Sequence, residues 1–435
     1  MRLPINMKQH LLPAIALGFV LTGCQPEPVE TSADNSASMF GPREDYDPIR
    51  VEAPRYPATL AGRAVLPYES RLTLPADLPE EMRISGKYTH PGIPILETIG
   101  EYPGVSFGSD PSAPRYTGVS FPIGGQPLQG FSGITALGDG TYIVTLDNGF
   151  GTKGNSRDAI LAFVTLRFDW EAGEVEILDE SFLHDPDNIL PFEIVNEDTE
   201  ERYLTGGDLD PESIQAIGDD VYIGEEFGPF LLRTDRDGRV TGFFEARLGD
   251  DTIRSKADNP LPEGENSRQL HRSSRGFEGM AASPDGRYLY LLLEGPLVVP
   301  DREMPEMVDE GMVLRMLKFD VDEGRFVDEN YRYILERPGT AIGGFNFINE
   351  HDALIIERDS GEGDEALICT DGISADCFNF PALFKRVYRV SFDGVKSGGI
   401  IQKTGYIDLL DIADGDETFT MPFVTIENVV RADET

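Results

Sequence analysis

The sequence predicts an all-β protein, a β-propeller of about six, or five, four-stranded blades. Gly and Pro account for 46 and 31 of the 435 residues, so we expect many turns and short strands rather than long helices. One short segment recurs five times along the chain, and alternating strands around turn signals fill the intervals. Four antiparallel strands in each repeat of this length describe a propeller blade.

The recurring segment begins with a small or acidic residue just before an Ile, Met or Val. In the first four copies a tight turn follows, and then an apolar strand that ends in Asp or Glu. The copies span residues 130–149, 210–228, 276–295, 343–361 and 423–435. They can be anchored on Ile134, Ile214, Met280, Ile348 and Val429, which lie between 66 and 81 residues apart. Such irregular spacing suits a repeat whose outer loops vary in length.

The intervals supply one outer hairpin each. These hairpins are predicted at residues 159–183, 230–248, 313–336 and 385–410. The sequence therefore contains four complete blades and the beginning of a fifth, and residues 58–123 are expected to supply another. A β-sandwich is the main alternative fold, but its strands would not restart with the same acidic signature.

The N-terminus is typical of an exported lipoprotein. Residues 1–23 carry Arg2, Lys8 and a short apolar run, as a signal peptide does, and they lead into Leu21-Thr22-Gly23-Cys24, which resembles a bacterial lipobox. We expect Cys24 to be acylated and to anchor the protein to the outer membrane. Residues 24–57 are rich in Pro, Glu, Ser and Asp and predict a flexible acidic tether. The folded domain is expected over residues 58–435.

The charge of the chain limits its partners. Asp and Glu outnumber Lys and Arg by 77 to 37, and the formal net charge of −40 disfavours binding to nucleic acid or anionic lipid. Contact with the membrane is therefore expected through the lipid anchor only, and a monomer is expected. Outside the cytosol, Cys369 and Cys377 are expected to form a local disulfide.

Acidic residues recur at equivalent positions of the repeats, and in a propeller such positions converge near the axis. Clustered carboxylates repel one another, and a divalent cation, with calcium the expected ion, removes that repulsion. The candidate catalytic residues are Glu212, Glu225, Glu278 and Glu357. The candidate metal ligands are Asp147, Asp210, Glu226, Asp359 and Glu427; Glu294 also stands at the end of an inner strand. Solvated turn acids, or an ion with a purely architectural role, are the alternatives.

Basic residues stand beside these motifs. The candidates for gripping a phosphate are Lys153, Arg157, Arg275 and Arg358. Each of them could instead be a solvent-facing or paired charge.

Eight strings together resemble the phytase-like, esterase-like β-propeller family. They are PLQGFSGI, LDNGFGTKGNSRDAIL, GDLDPES, EEFGPFLL, SRGFEGMA, SPDGRYLYLLLEGPL, IERDSGEGDEAL and PFVTIENV, and they follow one another between residues 126 and 435. The resemblance implies a propeller with an acidic chemical centre and a phosphoester or phosphodiester hydrolase activity. In the family a further strand with an Asp-Asn-Asn-like motif follows the last string. Because the sequence ends at Thr435, the last blade is expected to be incomplete.

The leading hypothesis is therefore a metal-dependent hydrolase of the cell envelope that acts on a phosphorylated small molecule. The alternatives are a non-catalytic propeller that binds a ligand or a protein at the envelope, and a propeller esterase or lactonase with the same fold and metal.

Overall fold

The structure is a computed structural model. It describes residues 53–67, 69–90, 93–94, 102–105, 116–256, 258–262, 264, 266–299, 302–363, 365–370, 377–413, 423 and 425–432. The predicted signal peptide, Cys24 and most of the predicted tether lie outside these residues. Within them, no helix is long and apolar enough to cross a membrane.

The described residues form an all-β fold with two short 3-10 helices, Glu80–Arg83 and Glu365–Leu367. The strands are β1 (Arg55–Thr59), β2 (Ile84–Ser85), β3 (Thr89–His90), β4 (Ile93–Pro94), β5 (Tyr102–Val105), β6 (Tyr116–Phe121), β7 (Ile123–Gly124), β8 (Phe131–Ala136), β9 (Tyr142–Leu146), β10 (Ala162–Asp169), β11 (Glu174–Phe182), β12 (Pro211–Ile217), β13 (Asp220–Glu225), β14 (Phe230–Thr234), β15 (Val240–Glu245), β16 (Arg247–Leu248), β17 (Asp251–Arg254), β18 (Ser267–Gln269), β19 (Phe277–Ala282), β20 (Tyr288–Leu293), β21 (Met307–Val308), β22 (Gly311–Asp320), β23 (Arg325–Ile334), β24 (Ala341–Phe347), β25 (Asp352–Arg358), β26 (Lys385–Ser391) and β27 (Gln402–Ala413).

Sixteen of these strands form four antiparallel sheets of four strands each, in chain order. Sheet 1 contains β8 to β11, sheet 2 contains β12 to β15, sheet 3 contains β19, β20, β22 and β23, and sheet 4 contains β24 to β27. The short β21 pairs with β22, and β1 adds a parallel fifth strand to the outer edge of sheet 4. The four predicted outer hairpins coincide with β10–β11, β14–β15, β22–β23 and β26–β27, so the sequence prediction of these hairpins is confirmed.

The first strands of the four sheets surround a common axis. β12 packs against both β8 and β19, and β19 packs against β24. Separate hydrophobic cores lie between sheets 1 and 2, between sheets 2 and 3, and between sheets 3 and 4. Sheets 2 and 3 are thus buried on both faces, which explains why β13 and β20 read as nearly continuous apolar runs. This is the arrangement of propeller blades.

Two side-chain amides tie the first strands together across the axis. Gln215 in β12 donates hydrogen bonds to the carbonyl of Met280 in β19 and to Oδ1 of Asn346 in β24, both at 2.8 Å. Asn346 in turn donates to the carbonyls of Ile134 in β8 at 3.1 Å and of Val429 at 2.9 Å. Because both amides are buried and hydrogen-bonded, they fix the spacing of the strands at mid-height.

Residues 425–432 lie between sheet 4 and sheet 1. Ile426 and Val429 are buried against apolar residues of β25, β26 and β27, whereas Val430 packs against the core on sheet 1. That core also takes in the N-terminal side chains from Ala64 to Met82.

Four blade-like sheets are thus present in the described residues, beside the three-stranded sheet β16–β18 and three two-stranded pairs, and the total of five or six blades stays a prediction. Residues 58–123 were expected to supply a further blade. In their described part they form the 3-10 helix Glu80–Arg83, the two-stranded pairs β3–β4, β5–β6 and β2–β7, and the last two residues of β1. That strand begins at Arg55, within the stretch that composition assigned to the tether.

Candidate acidic site near the axis

Two β-bulges place acidic side chains near the axis. The pairing of β12 with β13 shifts register between Pro211 and Ser213, and the pairing of β19 with β20 shifts between Phe277 and Gly279. Glu212 and Glu278 are the extra residues at these shifts. Because a bulged residue leaves the ladder and turns its side chain, both carboxylates are directed out of the regular pleat. The same shift occurs in β8 and β24, where Ser132-Gly133 and Gly343-Gly344 occupy it.

A second acidic residue follows the second strand in three sheets, and a repeated backbone hydrogen bond holds it. The amides of Asp147, Glu226 and Glu294 donate to the carbonyls of Gly130, Asp210 and Gly276, at 2.7, 3.0 and 2.8 Å. Each bond joins the end of the second strand to the residue just before the first strand. The three acids therefore stand at the same height along the axis, which we call the acidic end.

The acidic end gathers seven carboxylates into three overlapping groups, in each of which one oxygen atom of every residue lies within 4.8 Å of one oxygen atom of the others. We call Asp147, Asp210 and Glu212 the open group, and Glu226, Glu278 and Glu294 the closed group. The middle group consists of Glu212, Glu278 and Glu427, and it shares one residue with each of the other two. The bulged residues Glu212 and Glu278 are therefore the links between the groups.

Glu427 reaches the cluster from the segment 425–432. Its carbonyl accepts a hydrogen bond from the amide of Gly344, which docks the segment on β24. Arg358, at the end of β25, lies beside the cluster with a guanidinium nitrogen 3.9 Å from Oε1 of Glu427. In sheet 4, Arg358 occupies the position that Glu226 occupies in sheet 2 and Glu294 in sheet 3. One end of the cluster therefore carries a fixed positive charge.

Burial and mutual repulsion perturb the linking carboxyl groups. Burial, followed by the charges of Asp210 and Glu278, raises the pKa of Glu212 well above its usual value. Burial, followed by the charges of Glu427 and Glu294, likewise raises the pKa of Glu278, which shares a hydrogen bond with Glu427. Without a cation the cluster holds protons at a pH where ordinary carboxyl groups are ionised, and a bound cation would displace them.

The donor set fits a hard divalent cation. All seven side chains offer carboxylate oxygens, which are the ligands that calcium prefers. Glu294 gives an independent indication, because its Oε1 is buried and has no hydrogen-bond partner among the described residues, whereas its other oxygen pairs with Arg275. A buried carboxylate oxygen without a partner is costly, and a cation would satisfy it.

Three of the acids predicted from sequence lie outside the three groups. Glu225 caps the next turn by accepting the amides of Phe227 and Gly228, at 2.9 and 2.7 Å. Glu357 accepts a hydrogen bond from Tyr333 at 2.5 Å and pairs with Lys403.

Asp359, the third, accepts the amides of Leu383 and Phe384 and pairs with Lys385 at 3.0 Å. Protein groups thus hold each of these three carboxylates, and their assignment as site residues stays a prediction.

The structure places some of the predicted phosphate-binding residues beside the acidic cluster and one of them away from it. Arg275 and Arg358 lie at the closed group, and Arg275 forms an ion pair with Glu294. Lys153 donates to the carbonyl of Asp258 at 2.6 Å, and its charge acts on Glu225 and Asp210. Arg157 is exposed and stacks over Tyr88, with 5.4 Å between its Cζ and the ring centre. Three of the four cations therefore border the acidic cluster.

The sequence analysis noted Glu294 as a strand-end acid but left it out of the ligand set. The repeat itself carries the signal that identifies it, because Glu294 stands three residues after Leu291, the partner of Met280, as Glu226 stands three residues after Ile223, the partner of Ile214. The predicted disulfide is present: Cys369 and Cys377 are bonded in the loop that follows β25.

The fold and the acidic cluster agree with the family assignment. The profile of the phytase-like family, described as "Esterase-like activity of phytase", matches residues 126–434. The chain belongs to this family, which confirms the resemblance found in the sequence strings. No curated protein matches the chain.

Solved structures of other proteins resemble the chain weakly. A putative 6-phosphogluconolactonase from Bacteroides uniformis shares 12% identity over 67% of this chain and 75% of that one, with a TM-score of 0.28. The periplasmic gluconolactonase of Pseudomonas aeruginosa shares 12% over 71% and 78%, with a TM-score of 0.26. The Pan2 WD40 domain of Neurospora crassa shares 11% over 61% and 64%, with a TM-score of 0.28. The fold assignment therefore rests on the sheet topology and the family match.

Proposed function

We propose that this protein is a divalent-metal-dependent phosphoester or phosphodiester hydrolase of the cell envelope, with calcium as the ion. The observation that carries the proposal is the convergence of seven carboxylates and two arginines at one end of the axis. Membership of the phytase-like family supports a hydrolase. The lipobox-like sequence before Cys24 supports the location at the envelope.

The charges at the site explain why a phosphate ester would need a metal. Seven ionised carboxylates would repel an anionic substrate, and two guanidinium groups offset only part of that charge. A bound divalent ion supplies Lewis acidity and lowers the pKa of a bound water molecule. The open group is the end where substrate can reach the acids, because Asp147 and Glu212 are both partly exposed.

We assign roles to the chain's own residues as follows. Asp147, Asp210 and Glu212 hold the cation at the open end. Arg358 orients the phosphate through its positive charge, which already acts on Glu427, Glu294 and Glu278. Lys153 contributes a further positive charge beside Asp210.

The test uses the full-length protein in detergent with four substrates: p-nitrophenyl phosphate, bis-p-nitrophenyl phosphate, phytate and p-nitrophenyl acetate. Each is measured with calcium, with other divalent ions and with chelator. We expect turnover of at least one phosphate ester with a divalent ion and its loss with chelator and in Glu212→Gln. Glu176→Gln, on the exposed outer strand β11, is the matched control and should keep activity. If no phosphate ester is cleaved under any condition, the proposal is wrong; cleavage of the acetate alone would assign a carboxylic esterase.

A further inference from the structure

The two ends of the acidic cluster differ in burial. In the open group, Asp147 and Glu212 are partly exposed and only Asp210 is buried. In the closed group all three residues are buried, with exposed fractions of 1% for Glu226 and 4% each for Glu278 and Glu294. A ligand of the closed group would thus be withdrawn from the water and substrate that reach the open group.

The closed group joins two sheets. Glu226 follows β13 in sheet 2, whereas Glu278 lies in β19 and Glu294 follows β20, both in sheet 3. Gly276 fixes their approach, since its carbonyl accepts the amides of Glu278 at 3.2 Å and Glu294 at 2.8 Å. A Cβ on Gly276 would lie only 2.6 Å from the carbonyl oxygen of Glu226, so the backbones of the two sheets meet here without a spacer.

The protein satisfies the closed group only in part. Arg275 pairs with one oxygen of Glu294, but Oε1 of the same carboxylate, on a side chain only 1% exposed, has no hydrogen-bond partner among the described residues. The charge of Arg358 also acts on Glu278 and Glu294 at this end. The three buried carboxylates of the closed group outnumber these two arginines, and a divalent cation would offset the excess negative charge.

We propose that the closed group holds a divalent cation of its own, a calcium ion that cross-links sheets 2 and 3 and is separate from the exchangeable ion of the open group. Glu226, Glu278 and Glu294 are the ligands of this ion, and Oε1 of Glu294 coordinates it directly. Calcium fits this site better than magnesium. Calcium accepts six to eight oxygen ligands in a flexible arrangement, including bidentate carboxylates, whereas magnesium requires a near-ideal octahedron and usually keeps several water molecules. The ion is structural, and the proposal does not depend on any hydrolytic activity of the open group.

The experiment measures bound calcium and its exchange in the full-length protein. The protein is loaded with millimolar calcium, passed through metal-free buffer and analysed for metal, and radioactive calcium then reports the release rates. We expect one ion per chain to be retained and a second to bind only when calcium is added, so release from the loaded protein has a slow and a fast phase. A single fast phase, with no retained ion, would overturn the proposal without any mutant.

Matched variants separate the two sites. Glu294→Gln should lose the retained ion and lower the melting midpoint, because the two sheets lose their cross-link. Asp147→Asn should keep the retained ion and weaken only the second. Glu176→Gln serves as the control for substitution of an exposed acid. If Glu294→Gln retains calcium and melts like this control, or if Glu294→Gln and Asp147→Asn lose the same ion, the closed site does not exist. Bound calcium, its release rate and the melting midpoint are all measured without substrate, so their outcome is independent of the test of hydrolysis.

Discussion

Replacement of Gly344 by Ala should shift the segment 425–432 on sheet 4 without undocking it. Gly344 lies in the bulge of β24, and its amide donates to the carbonyl of Glu427. A Cβ at this position would overlap the side-chain amide of Asn428 well inside the van der Waals distance. The Asn428 side chain can move away only by giving up the hydrogen bonds that its Oδ1 accepts from Asn346 Nδ2 at 3.2 Å and from the amide of Val429 at 2.8 Å.

The cost can be bounded from the contacts that the segment makes. Ile426 and Val429 are each only 3% exposed, and burial of such side chains contributes roughly 1.5–3 kcal/mol apiece. Overpacking typically costs about 1–3 kcal/mol, which is less than that sum. We therefore expect Gly344→Ala to lower the free energy of unfolding by about 1–3 kcal/mol and to displace Glu427 from the middle group.

The assay combines urea unfolding with calorimetric titration of calcium. The variant should unfold at lower urea and bind calcium more weakly, and Asn428→Ala should restore part of both losses by making room for the new methyl group. Gly124→Ala is the matched control, because a Cβ at Gly124 would meet no atom within 4 Å. If Gly344→Ala binds calcium and unfolds as Gly124→Ala does, the docking of the segment and the role of Glu427 are wrong.

Three further predictions concern the cluster, the neighbouring turn and the anchor. Glu278→Gln removes the carboxylate shared by the middle and closed groups, so calcium affinity measured by calorimetry should fall at least about tenfold, as expected when a ligand charge is lost; unchanged affinity would exclude Glu278 as a ligand. Burial raises the pKa of Glu225 from 4.5 to about 7. Because the folded-state pKa is the higher one, the stability from this group is complete below pH 4.5 and is lost as pH rises through 7, by about 3 kcal/mol for the full shift. Glu225→Gln should flatten that part of the stability profile in denaturant titrations at pH 4 to 8, and an equal slope in both proteins would refute the assignment. Cys24→Ser should shift the protein from the membrane fraction to the soluble fraction or leave the signal uncleaved, and wild-type protein that is already soluble and unacylated would contradict the lipobox prediction.

The sequence predicted the strands well because their signals are local. The four outer hairpins alternate around Gly- and Asp-rich turns, and the inner runs are apolar because their sheets are covered on both faces. The bulges were not predictable in the same way. Ser132, Glu212, Glu278 and Gly343 are of three different residue types, yet each lies at the same register shift, which depends on how neighbouring strands approach the axis.

The fourth repeat is offset by three residues from the position at which the sequence anchored it. The sequence anchored that repeat on Ile348, but strand pairing shows that Phe345 is the equivalent of Ile214 and Met280. When the four repeats are aligned in this way, Glu225 and Glu357 occupy the same column of the alignment, one residue before the column that contains the strand-end acids of the cluster. Successive side chains of a strand point to opposite faces, so these two turn toward the space between sheets.

The next column contains the residues that face the cluster. They are Asp147, Glu226, Glu294 and Arg358. Arg358 was predicted as a phosphate-gripping residue for its position beside a motif. Its exact equivalence to Glu226 and Glu294 could be recognised only after the register was known, because a basic residue does not match an acidic pattern.

The parallel pairing of β1 with β27 determines from which direction the chain enters the folded domain. β27 runs toward the acidic end, because it follows the hairpin from β26, which itself starts beside Asp359 and Arg358. β1 runs the same way, with Arg55 opposite Tyr406 and Thr59 opposite Ala413, so the chain before Arg55 joins the domain at the opposite end of the axis. If Cys24 carries the predicted lipid, the tether would therefore join the propeller at the end remote from its carboxylates and leave the mouth of the acidic cluster clear of the attachment point.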